Sequence, residues 1–157
     1  MLEKLPPIEK IYEAYSAIAD QRVALYEAHA EVTSSSRSKT YCVNWDGNIY
    51  ASNDSATYWQ GYAGYPILAV LMLQEKLPVN MKAVTYFREI NWTQLNAKFK
   101  AKYSAAVDQV FKERIPADRA EEIRIGTQQV FEALKGLEVT IKRGKSRPLS
   151  AEKKKGQ

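Results

Sequence analysis

The sequence predicts an α+β protein, a mostly helical single domain of about five helices that carries a small three-stranded sheet. Three observations lead to this fold class. A hairpin pattern lies near residues 40–52, and apolar and polar residues alternate near residues 137–143, as they do in a strand with one buried face. Across most of the remaining chain, apolar residues recur at spacings of three and four, which is typical of amphipathic helices.

The hairpin prediction rests on Asp46-Gly47, a pair that favours a two-residue turn between β-prone runs. A turn at that pair would oppose Trp45 to Asn48, Val43 to Tyr50 and Tyr41 to Ser52. One face of the hairpin would then carry three aromatic residues and a valine, namely Tyr41, Val43, Trp45 and Tyr50. Such a face is either part of the core or a platform on which nucleic-acid bases stack.

Each helix is predicted from an apolar stripe together with end signals. Pro66 suits a first helical turn, and Gly136 is a typical stop. Capping oxygens are offered by Asn53, Asp54, Ser55, Asn80 and Asn91. The predicted helices span 8–31, 66–77, 91–114 and 116–136, with short helices at 53–60 and 80–88. We expect the C-terminal strand to join the hairpin.

Composition limits the classes of function. The chain has 157 residues, one cysteine and one histidine, too few for a zinc site built from Cys and His or for an internal disulfide, so we expect no metal and no cofactor. The first ten residues include two prolines and no apolar run, which argues against a leader peptide. The longest apolar run, 62–73, is too short to cross a bilayer. We therefore expect a cytoplasmic protein without a membrane partner.

The positive charge is concentrated at the C-terminus. Residues 142–157 contain seven Lys or Arg and one Glu, so the rest of the chain is nearly neutral. We expect a globular domain over residues 1–143 and a flexible basic tail over residues 144–157. A basic tail on a neutral domain is suited to contact phosphates or another acidic surface, although it is also compatible with a purely solubilising role.

The sequence contains no motif for nucleophilic catalysis and no phosphate-binding glycine loop. Asp46 and Asp54 are the two acidic residues in the aromatic-rich segment 41–65, which holds seven of the seventeen aromatic residues. Turn and cap roles explain both carboxylates more simply than acid–base chemistry. An enzyme site around Asp46, Asp54 and Tyr58 is therefore the third of three functional hypotheses.

Gly61-Tyr62-Ala63-Gly64, between two predicted helices, resembles the GxxG loop with which K-homology domains clamp a nucleic-acid backbone. The predicted order of helix, two strands, helix, GxxG, helix and late strand is similar to the second topology of that family. The resemblance covers residues 8–77 and implies RNA binding, although this loop lacks the usual Lys or Arg.

The leading hypothesis is a non-enzymatic protein that contacts RNA or single strands through the basic arm and the aromatic-rich segment. The predicted contact residues are Lys142, Arg143, Lys145, Arg147, Lys153, Lys154, Lys155, Trp45, Tyr50, Trp59 and Tyr62. The second hypothesis is a homo-oligomeric interaction module that uses exposed aromatic residues and binds no nucleic acid.

Overall fold

A computed structural model describes residues 2–144 and 149–150. The described α-helices are α1 Lys10–Ala19, α2 Tyr65–Leu73, α3 Met81–Val84, α4 Trp92–Lys98, α5 Tyr103–Arg114 and α6 Ala117–Lys135. A π-helix spans Ala56–Gln60, and a 3-10 turn, Thr85–Phe87, continues α3. The described strands are β1 Val23–Leu25, β2 His29–Thr33, β3 Lys39–Asp46, β4 Ile49–Ser52, β5 Thr140–Arg143 and β6 Leu149–Ser150.

The strands form one mixed sheet. Strands β1 to β4 are successive antiparallel neighbours, β5 lies parallel to β4, and β6 pairs with Lys39 and Thr40 of β3. The predicted α+β class is confirmed, as is the prediction that the C-terminal strand joins the hairpin. The predicted counts of about five helices and three strands are too low for the described residues.

The largest error concerns residues 8–31, which form one short helix and a hairpin in place of one long helix. Helix α1 ends at Ala19, and Gln21 then takes a left-handed φ of 54°, which no continuing α-helix accommodates. Strands β1 and β2 follow, and Ala30 and Val32 of β2 point into the core. Tyr26, read as part of the helical stripe, instead stacks on His29 at 4.7 Å between their ring centroids. This extra hairpin places four strands before α2, which departs from the K-homology order.

The predicted hairpin exists, but its register differs. Trp45 opposes Tyr50 and Asp46 opposes Ile49, so the turn is formed by Gly47 and Asn48. Gly47 has a φ of 59° whereas Asn48 is not left-handed, the pattern of a turn with glycine in its first central position. The shift moves each pairing by two residues, so the same side chains still share a face. On that face Tyr41, Val43 and Tyr50 are buried, and Trp45 is half-buried.

The predicted helix 91–114 is two helices, because Lys100 and Ala101 are both left-handed and interrupt it. The local end signals are confirmed elsewhere. Asn80 Oδ1 accepts hydrogen bonds from Lys82 N and Ala83 N at the start of α3, Pro66 lies in the first turn of α2, and α6 ends before Gly136.

Helix α1 lies at the centre of the packing, and its residues from Lys10 to Ala17 are all buried. On one side it packs against α2, whose residues from Pro66 to Met72 are also buried, as expected for a helix that is apolar all round. Ser16 Oγ donates to Phe87 O at 2.6 Å and accepts from Trp92 Nε1 at 2.7 Å, which ties α1 to α4. The buried stretch of α1 includes two charged residues of its first turn, Lys10 and Glu13.

In the described part of the chain, no helix is long and apolar enough to cross a membrane.

Candidate active site

A cavity of about 140 Å³ lies where the first turns of α1 and α2 meet the start of β1, the middle of β3 and helix α4. We call it the polar cavity, because ionisable and hydrogen-bonding side chains form much of its wall. Those used below are Lys10, Glu13, Arg22, Tyr41, Asp54, Tyr65 and Asn96. Charged side chains are rarely buried unless they are paired or functional, so this concentration needs a physical account.

Lys10 and Glu13 form a buried ion pair on α1. Lys10 Nζ lies 3.2 Å from Glu13 Oε2, and Lys10 also lies over the ring of Tyr103, 4.1 Å from its centroid. Burial raises the pKa of Glu13, and the nearby Lys10 only partly offsets that rise. For Lys10, burial acts to lower the pKa, but Glu13 and Tyr103 together raise it, so the ammonium stays charged.

The raised pKa of Glu13 has a consequence for stability. The folded protein holds this proton more tightly than the unfolded chain does. The stabilisation is therefore complete below the ordinary glutamate pKa and is lost as the pH rises through the raised value. If Lys10 instead lowered the pKa of Glu13, the stabilisation would be lost as the pH falls.

Asp54 is held from both sides, just after β4. Ser52 Oγ donates to Asp54 Oδ1 at 2.5 Å, and Thr57 N donates to Asp54 Oδ2 at 3.1 Å. The second bond caps the π-helix, which confirms the predicted capping role. Burial raises the pKa of this carboxyl above its usual range, against the effect of these hydrogen bonds. Gly64 packs directly against the carboxylate, since a Cβ at that position would lie 2.1 Å from Asp54 Oδ2.

Two buried polar atoms at the polar cavity have no hydrogen-bond partner in the described part of the chain. One is Arg22 Nε, which lies 3.6 Å from Asp20 Oδ2 while Arg22 Nη1 donates to Thr33 O at 2.7 Å. The other is Asn96 Oδ1, whose side-chain amide hydrogen-bonds to Glu13. Arg22 is only 4% exposed, so bulk water does not compensate its Nε–H group.

Two tyrosine rings complete the wall. Tyr41 and Tyr65 meet edge to face, with 6.4 Å between ring centroids. Burial, reinforced by Asp54 and Glu13, raises the pKa of Tyr41 to about 12, and burial likewise raises the pKa of Tyr65. Both phenols are therefore protonated at neutral pH and are able to donate a hydrogen bond. A wall with carboxyls of raised pKa, protonated phenols and a buried guanidinium is equipped for proton transfer to a bound molecule.

The three residues of the hypothetical enzyme site are not brought together. Asp54 lines the polar cavity, whereas Asp46 is exposed beside the hairpin turn. The ring of Tyr58 packs against Trp59 and lies under the guanidinium of Arg143. Of the three, Asp54 alone belongs to the cavity.

The predicted nucleic-acid contacts on the aromatic-rich segment have different exposures. Tyr50 is fully buried, and its hydroxyl contacts Gln74 and Lys76. Trp45 packs on Tyr50, with 6.0 Å between ring centroids, and Tyr62 is 8% exposed. Trp59, by contrast, is 59% exposed on the π-helix. The hairpin aromatics thus serve the core, which was one of the two interpretations open from the sequence.

The basic arm is described only in part. Lys142 is exposed on β5, and Arg143 Nε donates to Tyr58 O at 3.0 Å, on the π-helix. Lys145, Arg147, Lys153, Lys154 and Lys155 lie outside the described residues.

Most of the polar cavity was missed from the sequence. Lys10, Glu13, Arg22, Tyr65 and Asn96 are far apart in the chain, and no spacing rule connects them. One signal was available, because residues 10–19 carry apolar or small side chains on every side of the helix. A helix of that kind is enclosed by other elements, so its charged residues are buried as well.

Residues 3–140 match the model of a family described as "Uncharacterised conserved protein UCP014422". The chain belongs to this family. No curated protein and no solved structure matches it. Every named residue of the polar cavity lies within the matched range, whereas the basic residues from Lys142 onward lie outside it. Among the residues that the structure describes, no cluster of three or more His, Cys, Asp or Glu is arranged to hold a metal ion.

Proposed function

We propose that this member of the UCP014422 family is an enzyme that uses the polar cavity to act on a small polar molecule by general acid–base catalysis. The observation that carries the proposal is the presence of two buried carboxyls with raised pKa, Glu13 and Asp54, on the wall of one cavity. Burial that shifts a carboxyl pKa towards neutrality suits a group that exchanges a proton near physiological pH.

Glu13 is the better candidate for the proton-exchanging group. Both oxygens of Asp54 already accept hydrogen bonds from Ser52 and Thr57, which fixes that carboxylate in place. Glu13 is instead held by two side chains, the ammonium of Lys10 and the amide of Asn96. Lys10 is also able to balance the charge when Glu13 gives up its proton.

The remaining wall groups suit binding and charge stabilisation. The protonated phenols of Tyr41 and Tyr65 are donors for negative charge that develops on the substrate. Arg22 Nε–H makes no hydrogen bond to the described residues and would suit an anionic substituent. The groups proposed for proton transfer, for orienting the substrate and for stabilising its charge would thus all lie on the wall of the polar cavity.

The test is to incubate the full chain with a panel of small polar metabolites and to follow conversion by NMR. Glu13→Gln is expected to reduce the rate of any conversion by about 100-fold or more, the usual range for loss of a general acid–base group. Glu132→Gln is the matched control, because Glu132 pairs with Lys135 at the same helical spacing but on the surface. Conversion of no panel member, or conversion that survives Glu13→Gln, would refute the proposal.

We propose nucleic-acid contact as a second candidate function, supported by the surface around the π-helix. Trp59 is exposed there, Lys4 Nζ donates to Gln60 O at 2.8 Å, and Arg143 lies over the ring of Tyr58. An exposed indole flanked by two cations suits a single strand, through base stacking and phosphate contacts. The tail cations would add salt-sensitive affinity.

This second function is tested with labelled single-stranded RNA and DNA at several salt concentrations. Replacing Lys153, Lys154 and Lys155 by alanine is expected to flatten the salt slope by about 2 units. Trp59→Ala is expected to weaken binding by about tenfold or more, whereas Ile125→Ala, at an equally exposed site on α6, is the neutral control. An unchanged slope together with unchanged affinity of Trp59→Ala would refute it.

A further inference from the structure

The two unpartnered atoms of the polar cavity define what a ligand must supply. Among the described residues, Arg22 Nε donates no hydrogen bond, because Asp20 Oδ2 at 3.6 Å is too far to accept one, and Asn96 Oδ1 accepts none. A buried polar group left unpaired destabilises the folded protein, so both atoms favour a ligand that pairs with them. A ligand that satisfies both atoms needs an acceptor, best an anionic one, and a donor in the same molecule.

The charges around the polar cavity are nearly balanced. Lys10 pairs with Glu13, and Arg22 lies beside Asp20, which leaves the carboxyl of Asp54. The three carboxyls are those of Glu13, Asp20 and Asp54. When one of them holds a proton, the two remaining negative charges balance the two positive charges of Lys10 and Arg22. A wall of zero net charge does not favour a simple anion or a simple cation, because either would bring an uncompensated charge into a buried site.

The size of the cavity limits the ligand as well. Its volume of about 140 Å³ corresponds to several water molecules at about 30 Å³ each, and so to a ligand of roughly five to eight non-hydrogen atoms. The wall also includes the rings of Tyr41, Tyr65 and Trp92, which offer apolar surface beside the charged groups.

We propose that the polar cavity recognises a small zwitterion, an α-amino acid with a short side chain, whose carboxylate accepts from Arg22 Nε and whose ammonium donates to Asn96 Oδ1. This inference rests on the proposed function, since it names the substrate class of the same cavity. Glu13, which hydrogen-bonds to Asn96, lies close to the ammonium end and so is positioned to exchange a proton there. The phenols of Tyr41 and Tyr65 complete the enclosure.

The experiment measures binding to the full chain by calorimetry and thermal shift. Glycine, alanine and serine are compared with propionate, which lacks the ammonium group, and with ethylamine, which lacks the carboxylate group. At least one amino acid is expected to bind at least tenfold more tightly than both single-charge analogues. Equal binding of propionate or ethylamine would overturn the zwitterion assignment but leave a small-molecule site in place.

A variant of Asn96 separates recognition from folding. Asn96→Ala is expected to weaken amino-acid binding by about tenfold but to leave the weaker binding of propionate unchanged, because propionate has no ammonium group to donate to Asn96 Oδ1. The exposed variant Glu132→Gln should bind as the parent does. Equal loss of amino-acid and propionate binding in Asn96→Ala would indicate a structural role and overturn the assignment. If amino acids fail to bind while another metabolite is converted in a Glu13-dependent way, the zwitterion assignment fails and the proposed enzyme stands; if both fail, both are wrong.

Discussion

Gly64 offers a direct test of the packing around Asp54. Replacing Gly64 by alanine would place the new Cβ 2.1 Å from Asp54 Oδ2 and 2.9 Å from Asp54 Cγ, closer than any real contact. The backbone at Gly64 has a φ of −71°, which alanine adopts without strain, so the clash is purely with the carboxylate. The structure must therefore shift at this contact, and a displacement of the Asp54 carboxylate would break its hydrogen bonds with Ser52 and Thr57.

The cost of that movement follows from the two hydrogen bonds. A hydrogen bond to a charged group contributes about 1.5 to 3 kcal/mol, so losing both would cost at least about 3 kcal/mol. In a protein of this length, 1 kcal/mol corresponds to a change in Tm of about 2 to 4 °C. We therefore expect Gly64→Ala to lower Tm by about 6 to 12 °C and to weaken any ligand binding at the polar cavity.

The assay is thermal unfolding followed by circular dichroism, with a double-mutant cycle. In an Asp54→Ala background, Gly64→Ala should cost less than about 1 kcal/mol, the modest loss of a glycine at the helix N-cap. Gly126→Ala is the matched control, because a Cβ there meets nothing within 4 Å inside α6, and it should raise Tm by about 2 to 4 °C. An equal cost of Gly64→Ala in both backgrounds would refute the steric explanation.

Three further outcomes are expected. The stability advantage of the parent protein over Glu13→Gln should shrink as the pH rises from about 4 to 8, measured by denaturant unfolding; growth of that difference would show that Lys10 holds the carboxyl ionised. Asn80→Ala removes the cap of α3 and should cost about 1 kcal/mol in the same assay, with no change in ligand binding. Trp92→Phe leaves Ser16 Oγ without its indole donor and should cost about 1 to 3 kcal/mol, whereas an unchanged midpoint would argue against that hydrogen bond.

Local signals in the sequence predicted local features. The caps at Asn80 and Asn91 and the end of α6 before Gly136 depend on a few neighbouring residues, and all three are confirmed. The end of α1 was missed because the apolar spacing continues through Tyr26, although Gln21 turns the chain. Gln21 closes the helix with a local pair of hydrogen bonds, from Gln21 N to Ile18 O and from Arg22 N to Ala17 O. Glycine usually occupies this left-handed position, so a glutamine there is not recognised as a stop signal.

The polar cavity was less accessible to sequence reasoning. Asp54 was identified, but as a cap, because its hydrogen bond to Thr57 is local. Glu13 and Lys10 were not identified, because their burial depends on how α2 and α4 pack against α1. The hairpin face with Tyr41, Val43 and Tyr50 is buried, which agrees with the core interpretation, one of the two that were open from the sequence.

The costly features of this fold are concentrated in one place. A buried ion pair, a carboxyl of raised pKa and two unpartnered polar atoms surround the polar cavity, and the π-helix begins two residues after Asp54. Such features reduce stability, and they are often retained where a protein binds or reacts with a ligand. The neighbouring helix α2, by contrast, has an entirely apolar buried stretch from Pro66 to Met72. Stability alone would favour similar apolar packing around Glu13, and this is the physical reason for the proposal that the polar wall serves a ligand.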